Sequence, residues 1–281
     1  MKDTSKVRVA GTQYLRSAKC RVVFPVVAIL FLLAASAPRV FAWGITWRDE
    51  FTGVNNQPWS GNWGFQTGGG GFGNNELQIY VNSFANCHIV SDGTGTDGQA
   101  LRFQAQTSNG QWNGQWYSAR INSYGHHLVG PGSYVEYRCK FPNSGKGYWP
   151  AGWMLGTVGG NWPACGEIDV AEEVNGQWEN HQSLHMPGWD PTVVRTISNS
   201  TTTYHNYGAW WPADGGSITF STDGVNTATF SRGGGGTWEF NNNNRFFIIL
   251  NLAIGGNFPG NPNSGTGVNG NFFVDYVRQY N

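Results

Sequence analysis

Charge is scarce in this chain. Asp, Glu, Lys and Arg make up 12% of its 281 residues, and the 17 acidic and 17 basic side chains cancel. The basic ones are also unevenly spread. Residues 1–42 hold seven of the 17 basic residues and one of the 17 acidic ones, which leaves ten against 16 and a net charge of about −6 for the rest. Such a surface speaks against nucleic acid as a partner, because phosphate binding needs a basic face. A strongly anionic polymer would be repelled over most of it, whereas a neutral polymer suits it. Cysteine is rare too, at four. Cys20 falls in the leading segment, so Cys87, Cys139 and Cys165 allow at most one disulfide, and spacing does not choose the pair. Cys165 reads as a small buried residue, since a cysteine nucleophile would need a different constellation around it. Absent as well are an amphipathic helical run of useful length and an internal linker. The glycine patches at 68–71 and 233–236 are too short for tethers and read as turns or as backbone close to a ligand.

The leading segment has the marks of export. Lys2, Lys6, Arg8, Arg16, Lys19 and Arg21 precede an apolar run at 22–37, and Val40-Phe41-Ala42 supplies a small-residue cleavage signal. Cleavage is expected after Ala42; at the rival Ala35-Ser36-Ala37, Pro38 would follow the cut. The apolar run is short for a spanning helix, so the mature protein is expected to be secreted and free of the membrane. What remains, 43–281, has a length that suits one large all-β domain. Short alternating or β-rich segments at 78–81, 100–106, 134–141, 217–220, 227–230, 246–252 and 272–280 are separated by turn signals such as Asp92-Gly93, Asp97-Gly98 and Asp223-Gly224. They fit a two-sheet β-sandwich.

Against this low-charge background, Gly166-Glu167-Ile168-Asp169-Val170-Ala171-Glu172-Glu173 packs four carboxylates into seven positions. On a strand Glu167 and Asp169 share a face, with Ile168 and Val170 opposite. Glu172 would be out of phase, but one β-bulge near Val170 or Ala171 returns it to the first face and turns Glu173 away. Two carboxylates on one face, helped by a third, match retaining glycoside hydrolysis: Glu167 as nucleophile, Glu172 as acid/base, Asp169 as orienting helper. A solvated acidic edge strand is the plain alternative. The flanking Trp149, Trp153, Trp162, Trp178 and Trp189, with His185, argue against it, because flat apolar surfaces suit sugar faces.

The same run resembles the bulged Glu-x-Asp-x-x-Glu signature of glycoside hydrolase family 16, in particular its endo-β-1,3-glucanase (laminarinase) branch. Trp47-Arg48-Asp49-Glu50-Phe51, Gly73-Asn74-Asn75-Glu76-Leu77-Gln78, Ser118-Ala119-Arg120-Ile121, Trp149-Pro150-Ala151-Gly152-Trp153-Met154-Leu155, Trp162-Pro163-Ala164-Cys165, Leu250-Asn251-Leu252-Ala253-Ile254-Gly255-Gly256 and Val274-Asp275-Tyr276-Val277-Arg278 resemble family segments in the family's order. The resemblance implies a β-jelly roll with a concave cleft and a secreted, retaining endo-β-1,3-glucanase acting on laminarin-like or mixed-linkage β-glucan. It implies no redox or organic cofactor, and a monomer is the default. Two alternatives stay open. An agar or carrageenan galactan would keep the chemistry and change the polymer, although the neutral aromatic flanks speak against it. A non-catalytic β-glucan-binding protein would need the tryptophans but not both glutamates.

By the same resemblance Asn75 lies at the non-reducing side of the cleft, with a hairpin turn as the alternative role, and Glu76 is expected to bond backbone. Arg120 is the sugar-contacting arginine or orients Glu167; a structural ion pair competes. Trp149 and Trp153, four apart, share a face and form the aromatic platform, unless they are core. Gly152 between them departs from many relatives, which have an aromatic there, and is expected to loosen the packing below the cleft. His185 donates to a substrate hydroxyl or tunes Glu172; a metal-ligand role lacks a second ligand at suitable spacing. His126 and His127 read as surface histidines. Glu50 and Asp275 resemble the family's structural calcium ligands, completed by carbonyls and water.

Overall fold

The computed structural model describes residues 44–281, and the expected signal segment lies outside the described residues. In chain order the strands are β1 (Ile45–Asp49), β2 (Gly64–Phe65), β3 (Gln78–Tyr80), β4 (Cys87–Ser91), β5 (Gln99–Gln104) and β6 (Gln106–Thr107). There follow β7 (Trp116–Ser118), β8 (Arg120–Asn122), β9 (Ser133–Lys140), β10 (Tyr148–Gly156), β11 (Glu167–Glu172) and β12 (Glu179–His185). The last are β13 (Thr192–Thr196), β14 (His205–Trp211), β15 (Ser217–Thr222), β16 (Val225–Ser231), β17 (Phe246–Ile254) and β18 (Asn271–Tyr280). Apart from a three-residue 3-10 turn at Gly71–Gly73, the described residues form strands and connections.

Two sheets carry the fold. One runs β16-β15-β14-β9-β18-β5-β4 with β1 added along β18; the other runs β13-β12-β11-β10-β17-β8-β2. The small third sheet, β3-β7-β6, includes a parallel β3–β7 pair. This is the expected all-β jelly roll. Its logic is visible in β9, where Ser133, Val135, Tyr137 and Cys139 are buried and the alternate residues are half-buried, the period-two signature of a strand with one face on a core. In β17, the neighbour of β10, eight of nine residues are buried, as a central strand covered on both sides requires. Tyr137, Phe103, Phe272, Leu250, Met154 and Ile168 meet in one apolar cluster, each large side chain contributing roughly 1.5–3 kcal/mol by leaving water.

The packing below the cleft is not loosened by Gly152. A Cβ there would fall 2.8 Å from Cδ1 of Tyr137 and 3.4 Å from Leu250. The Tyr137 ring fills the space an aromatic at 152 would need, and its hydroxyl donates to the Trp153 carbonyl at 3.2 Å.

Candidate active site

The acidic run forms β11, an interior strand between β10 and β12. Gly166 opens it at φ 78°, a left-handed conformation that glycine adopts without steric cost. Along β10 the register pairs Leu155 with Glu167, Met154 with Ile168 and Trp153 with Asp169, then jumps to Gly152 with Ala171 and Ala151 with Glu172. Val170 is therefore the extra residue of a bulge, as the spacing of the acids requires. Glu167, Asp169 and Glu172 line one cleft. Glu173 is fully buried away from it and accepts a hydrogen bond from Ser200 Oγ at 2.8 Å.

A bulge strands backbone groups, and here two buried amides from β12 take them up. Ladder pairing between β11 and β12 stops at Asp169 with Ser183. Beyond that point Asn180 Nδ2 and Gln182 Nε2 both donate to the Val170 carbonyl, at 3.1 and 3.2 Å. The Glu172 N–H donates to Asn180 Oδ1 at 2.9 Å. Both amides are wholly buried, so the backbone that carries Glu172 is fixed by groups that no apolar residue could replace.

The three acids do not share one environment. Burial pushes Glu172 up to about 7; the Trp149 indole, donating to Oε1 at 2.8 Å, pulls it down, and the Glu167 charge adds to the rise. Asp169, 3% exposed, is held well above the usual carboxylate range by burial and then by the Glu172 charge. Burial and the Asp169 charge also raise Glu167, against the pull of His185 and of Trp162, whose Nε1 donates to Oε2 at 2.7 Å. Like charges this close share a proton. Trp162 and His185 favour the carboxylate form of Glu167, while burial and its contact with Asp169 oppose it. His185 pairs with Glu167 across β12, and its Nε2 stands 3.1 Å from Asp169 Oδ2 without hydrogen-bond alignment. Its other nitrogen lies 3.3 Å from Asp190. Glu167, Asp169 and His185 gather atoms within 4.8 Å of one another, and that closeness suits a shared proton.

The cleft encloses about 580 Å³. Trp149 and Trp153 both face it, as their parity predicts, and Trp153 donates to Asn251 Oδ1 at 2.7 Å. The Arg120 guanidinium, 8% exposed, forms no ion pair among the described residues and lies 4.8 Å from the Trp153 ring and 5.3 Å from Phe72. It is a stacked cation at the cleft wall, and its charge reaches Glu167 and Glu76. An unaligned or absent partner for a buried guanidinium N–H leaves a donor for a ligand: Arg120 Nε has none among the described residues.

With this geometry in view, the match to known proteins is decisive. A family model described as "XgeA-like, catalytic GH16 domain" covers residues 88–253. The chain belongs to glycoside hydrolase family 16. Among its family 16 relatives, a glucan endo-1,3-beta-glucosidase of Cryptopygus antarcticus is 31% identical over 273 residues, spanning 89% of this chain and 96% of the relative. Glucan endo-1,3-beta-glucosidase A1 of Niallia circulans is also 31% identical, over 86% of this chain, but the chain spans only 38% of that protein's length. The crystal structure of an endo-beta-1,3-glucanase from Pyrococcus furiosus superposes with a TM-score of 0.72 at 32% identity, covering 85% of this chain and 94% of that one.

Several expected residues of this family 16 hydrolase sit elsewhere than their spacing suggested. Asn75 is exposed, adopts φ 59°, and donates to Asn257 Oδ1 at 2.9 Å. It serves the turn, while its neighbours Asn74 and Glu76 line the cleft. Glu76 accepts from Gln78 Nε2 at 2.6 Å and Tyr80 at 3.2 Å, so it belongs to a side-chain network and not to backbone. The calcium pair fails a fit test. Both Glu50 oxygens accept from Arg278, at 2.9 and 2.8 Å. Asp275 accepts from the Thr96 N–H and hydroxyl and from Arg138 at 3.0 Å. These carboxylates are already neutralised by guanidinium groups on separate partners, a donor set that opposes a cation. His127 is half-buried, stacks on Trp47 at 4.3 Å and bonds Gln279, so only His126 is a plain surface histidine. Cys87, Cys139 and Cys165 are all buried and free.

Among the cleft residues whose role escaped the sequence reading, three are aromatic. Phe72 sits at φ 45° between glycines, and the Gly68–Gly71 patch was the signal that an unusual backbone carries something there. Phe258 lies edge-on to Trp149 at 5.6 Å and to His181 at 5.1 Å, just past the Gly255-Gly256 break that ends β17. Trp162, counted only as an aromatic flank, is the direct donor to Glu167.

Proposed function

We propose that the protein is a secreted, retaining endo-β-1,3-glucanase that hydrolyses laminarin-like and mixed-linkage β-glucans by double displacement. The observation that carries this reading is the bulged strand, which sets Glu167 and Glu172 on one cleft face in unlike environments. Glu172, raised to about 7, is protonated in a large share of molecules near neutral pH and delivers that proton to the glycosidic oxygen as the bond breaks. Glu167 attacks the anomeric carbon and becomes an ester. Glu172, now a carboxylate, removes a proton from water; the water oxygen bonds the anomeric carbon, the ester C–O bond breaks, and both acids return to their starting state.

The substrate reading rests on the cleft walls and the relatives. Trp149, Trp153, Trp162 and Phe258 offer flat faces for sugar rings, and Arg120 is the one Lys or Arg among the lining residues, a poor match for a sulfated polymer. The relatives' names point to β-1,3-linked glucan. Export rests on the basic start, the apolar run and Ala42. Reducing-sugar release from laminarin by the purified protein, beside Glu167→Gln, tests the reading, with lichenan and agarose in parallel. Laminarin hydrolysis that is lost in the variant is the expected result. Binding without hydrolysis, or hydrolysis of agarose alone, would overturn it.

A further inference from the structure

A second, smaller depression of about 390 Å³ adjoins segments that also border the cleft. Its walls come from the loop before β7, from Leu77, and from the segment after β17 that ends at Asn261 and Pro262. Trp112 and Leu77, 38% and 40% exposed, bring an indole and an aliphatic side chain to the same wall. No charged residue lines it, which disfavours an ionic ligand.

The polar groups are arranged for a ligand with hydroxyls. Gln115 Nε2 is fixed by the carbonyls of Leu77 and Trp116, each at 3.1 Å, which leaves its carbonyl oxygen without a partner among the described residues. The Asn113 and Asn261 amides make no side-chain hydrogen bond there either. Trp112 is anchored through its own carbonyl, which accepts from Trp116 Nε1 at 3.1 Å, so the indole is presented without being tied down. The loop is closed by Ser108 N–H to the Gln115 carbonyl at 2.8 Å and Gly114 N–H to the Gln111 carbonyl at 3.0 Å. An indole face beside amides that both donate and accept is what a neutral sugar ring requires, stacking its C–H face and bonding its hydroxyls.

The occupant follows from continuity with the cleft. Glu76 lines the cleft and Leu77, the next residue, lines the depression, in the segment just before β3. Phe258 and Asn261 do the same from one loop, and Leu77 packs over Gly255, where a Cβ would fall 2.7 Å from its side chain. We infer that this depression is a second β-glucan-binding site, which holds a distal stretch of the polymer whose cleaved stretch occupies the catalytic cleft. The inference rests on the glucanase reading for the identity of its ligand.

The test separates the two. Affinity electrophoresis of Glu167→Gln in gels containing laminarin reads binding without turnover, and adding Trp112→Ala, or separately Asn261→Ala, removes the second site. Each addition should weaken retardation about three- to tenfold. In the active protein, Trp112→Ala should raise KM on long laminarin by a similar factor while kcat and KM on a short laminari-oligosaccharide stay fixed. Equal retardation with and without Trp112, or a loss that is the same on polymer and oligosaccharide, would overturn the site. So would sedimentation showing a dimer that Trp112→Ala converts to monomer, because a second copy would then cover the indole. If laminarin is retarded through Trp112 but never hydrolysed, the site stands and the glucanase reading falls.

Discussion

Asp275 on β18 and Asp169 on β11 are almost equally buried, at 1% and 3% exposed, yet their surroundings are opposite. Arg138 stands 3.0 Å from Asp275 and Lys140 stands 2.7 Å from Asp92 on the same sheet, where Arg278 also grips Glu50. For Asp92, burial pushes upward, but hydrogen bonds from Lys140, Thr94 and Tyr204 outweigh it and hold the group below the usual carboxylate range. On the cleft sheet, no Lys or Arg pairs with Glu167, Asp169 or Glu172 among the described residues; histidine and indole N–H groups are the partners. A buried carboxylate left without a cation is expensive. One sheet removes that cost with fixed cations, and the other keeps it as raised proton affinity, which is the property an acid/base needs near neutral pH.

The contrast can be broken from the structural side first. Arg138→Met leaves Asp275 buried beside Thr96 alone, which costs about 3–5 kcal/mol and lowers Tm by roughly 10 °C in a domain of this size. Activity well below that Tm should be unchanged, since Arg138 lies on the other sheet. An unmoved Tm would mean that Thr96 satisfies Asp275 unaided. The cleft side is sharpened by Trp149→Phe. With Glu172 as the proposed general acid, which must be protonated to act, kcat/KM should fall as pH rises through about 7. The lost indole N–H stabilised the carboxylate, so its removal should move that alkaline limb upward by about one pH unit. A limb that stays put would show that Trp149 only binds substrate. The smallest expected effect is none: because guanidinium groups already occupy Glu50 and Asp275, a chelator or added calcium should leave Tm unchanged, and a chelator-induced drop would return a cation to that site.

Where one face of a strand is apolar, the sequence spelled out the fold. β9, β17 and β18 could be read from alternation or from unbroken apolar runs, and the bulge could be read from the five-residue offset of Glu167 and Glu172. β12 could not. Its cleft face carries His181, Ser183 and His185, and its buried face carries Asn180 and Gln182, amides committed to a break in the neighbouring strand. No periodicity of hydrophobic residues survives that. Asn75 illustrates the other limit. Asn74, Asn75 and Glu76 are chemically alike in their fitness for sugar, and only the left-handed turn at 75 decides which of them face the cleft. The calcium pair was misread because a carboxylate and its ion look the same in sequence as a carboxylate and a distant arginine, and Arg138 lies 137 residues from Asp275.

Proton NMR of the first product released from laminarin tests the division of labour between Glu167 and Glu172 most directly. If Glu167 forms the glycosyl ester and Glu172 then activates water, the β-anomer appears first and the α-anomer grows only by mutarotation. An α-anomer at the earliest time points would mean inversion in a single step, and Glu167 would then not be the nucleophile.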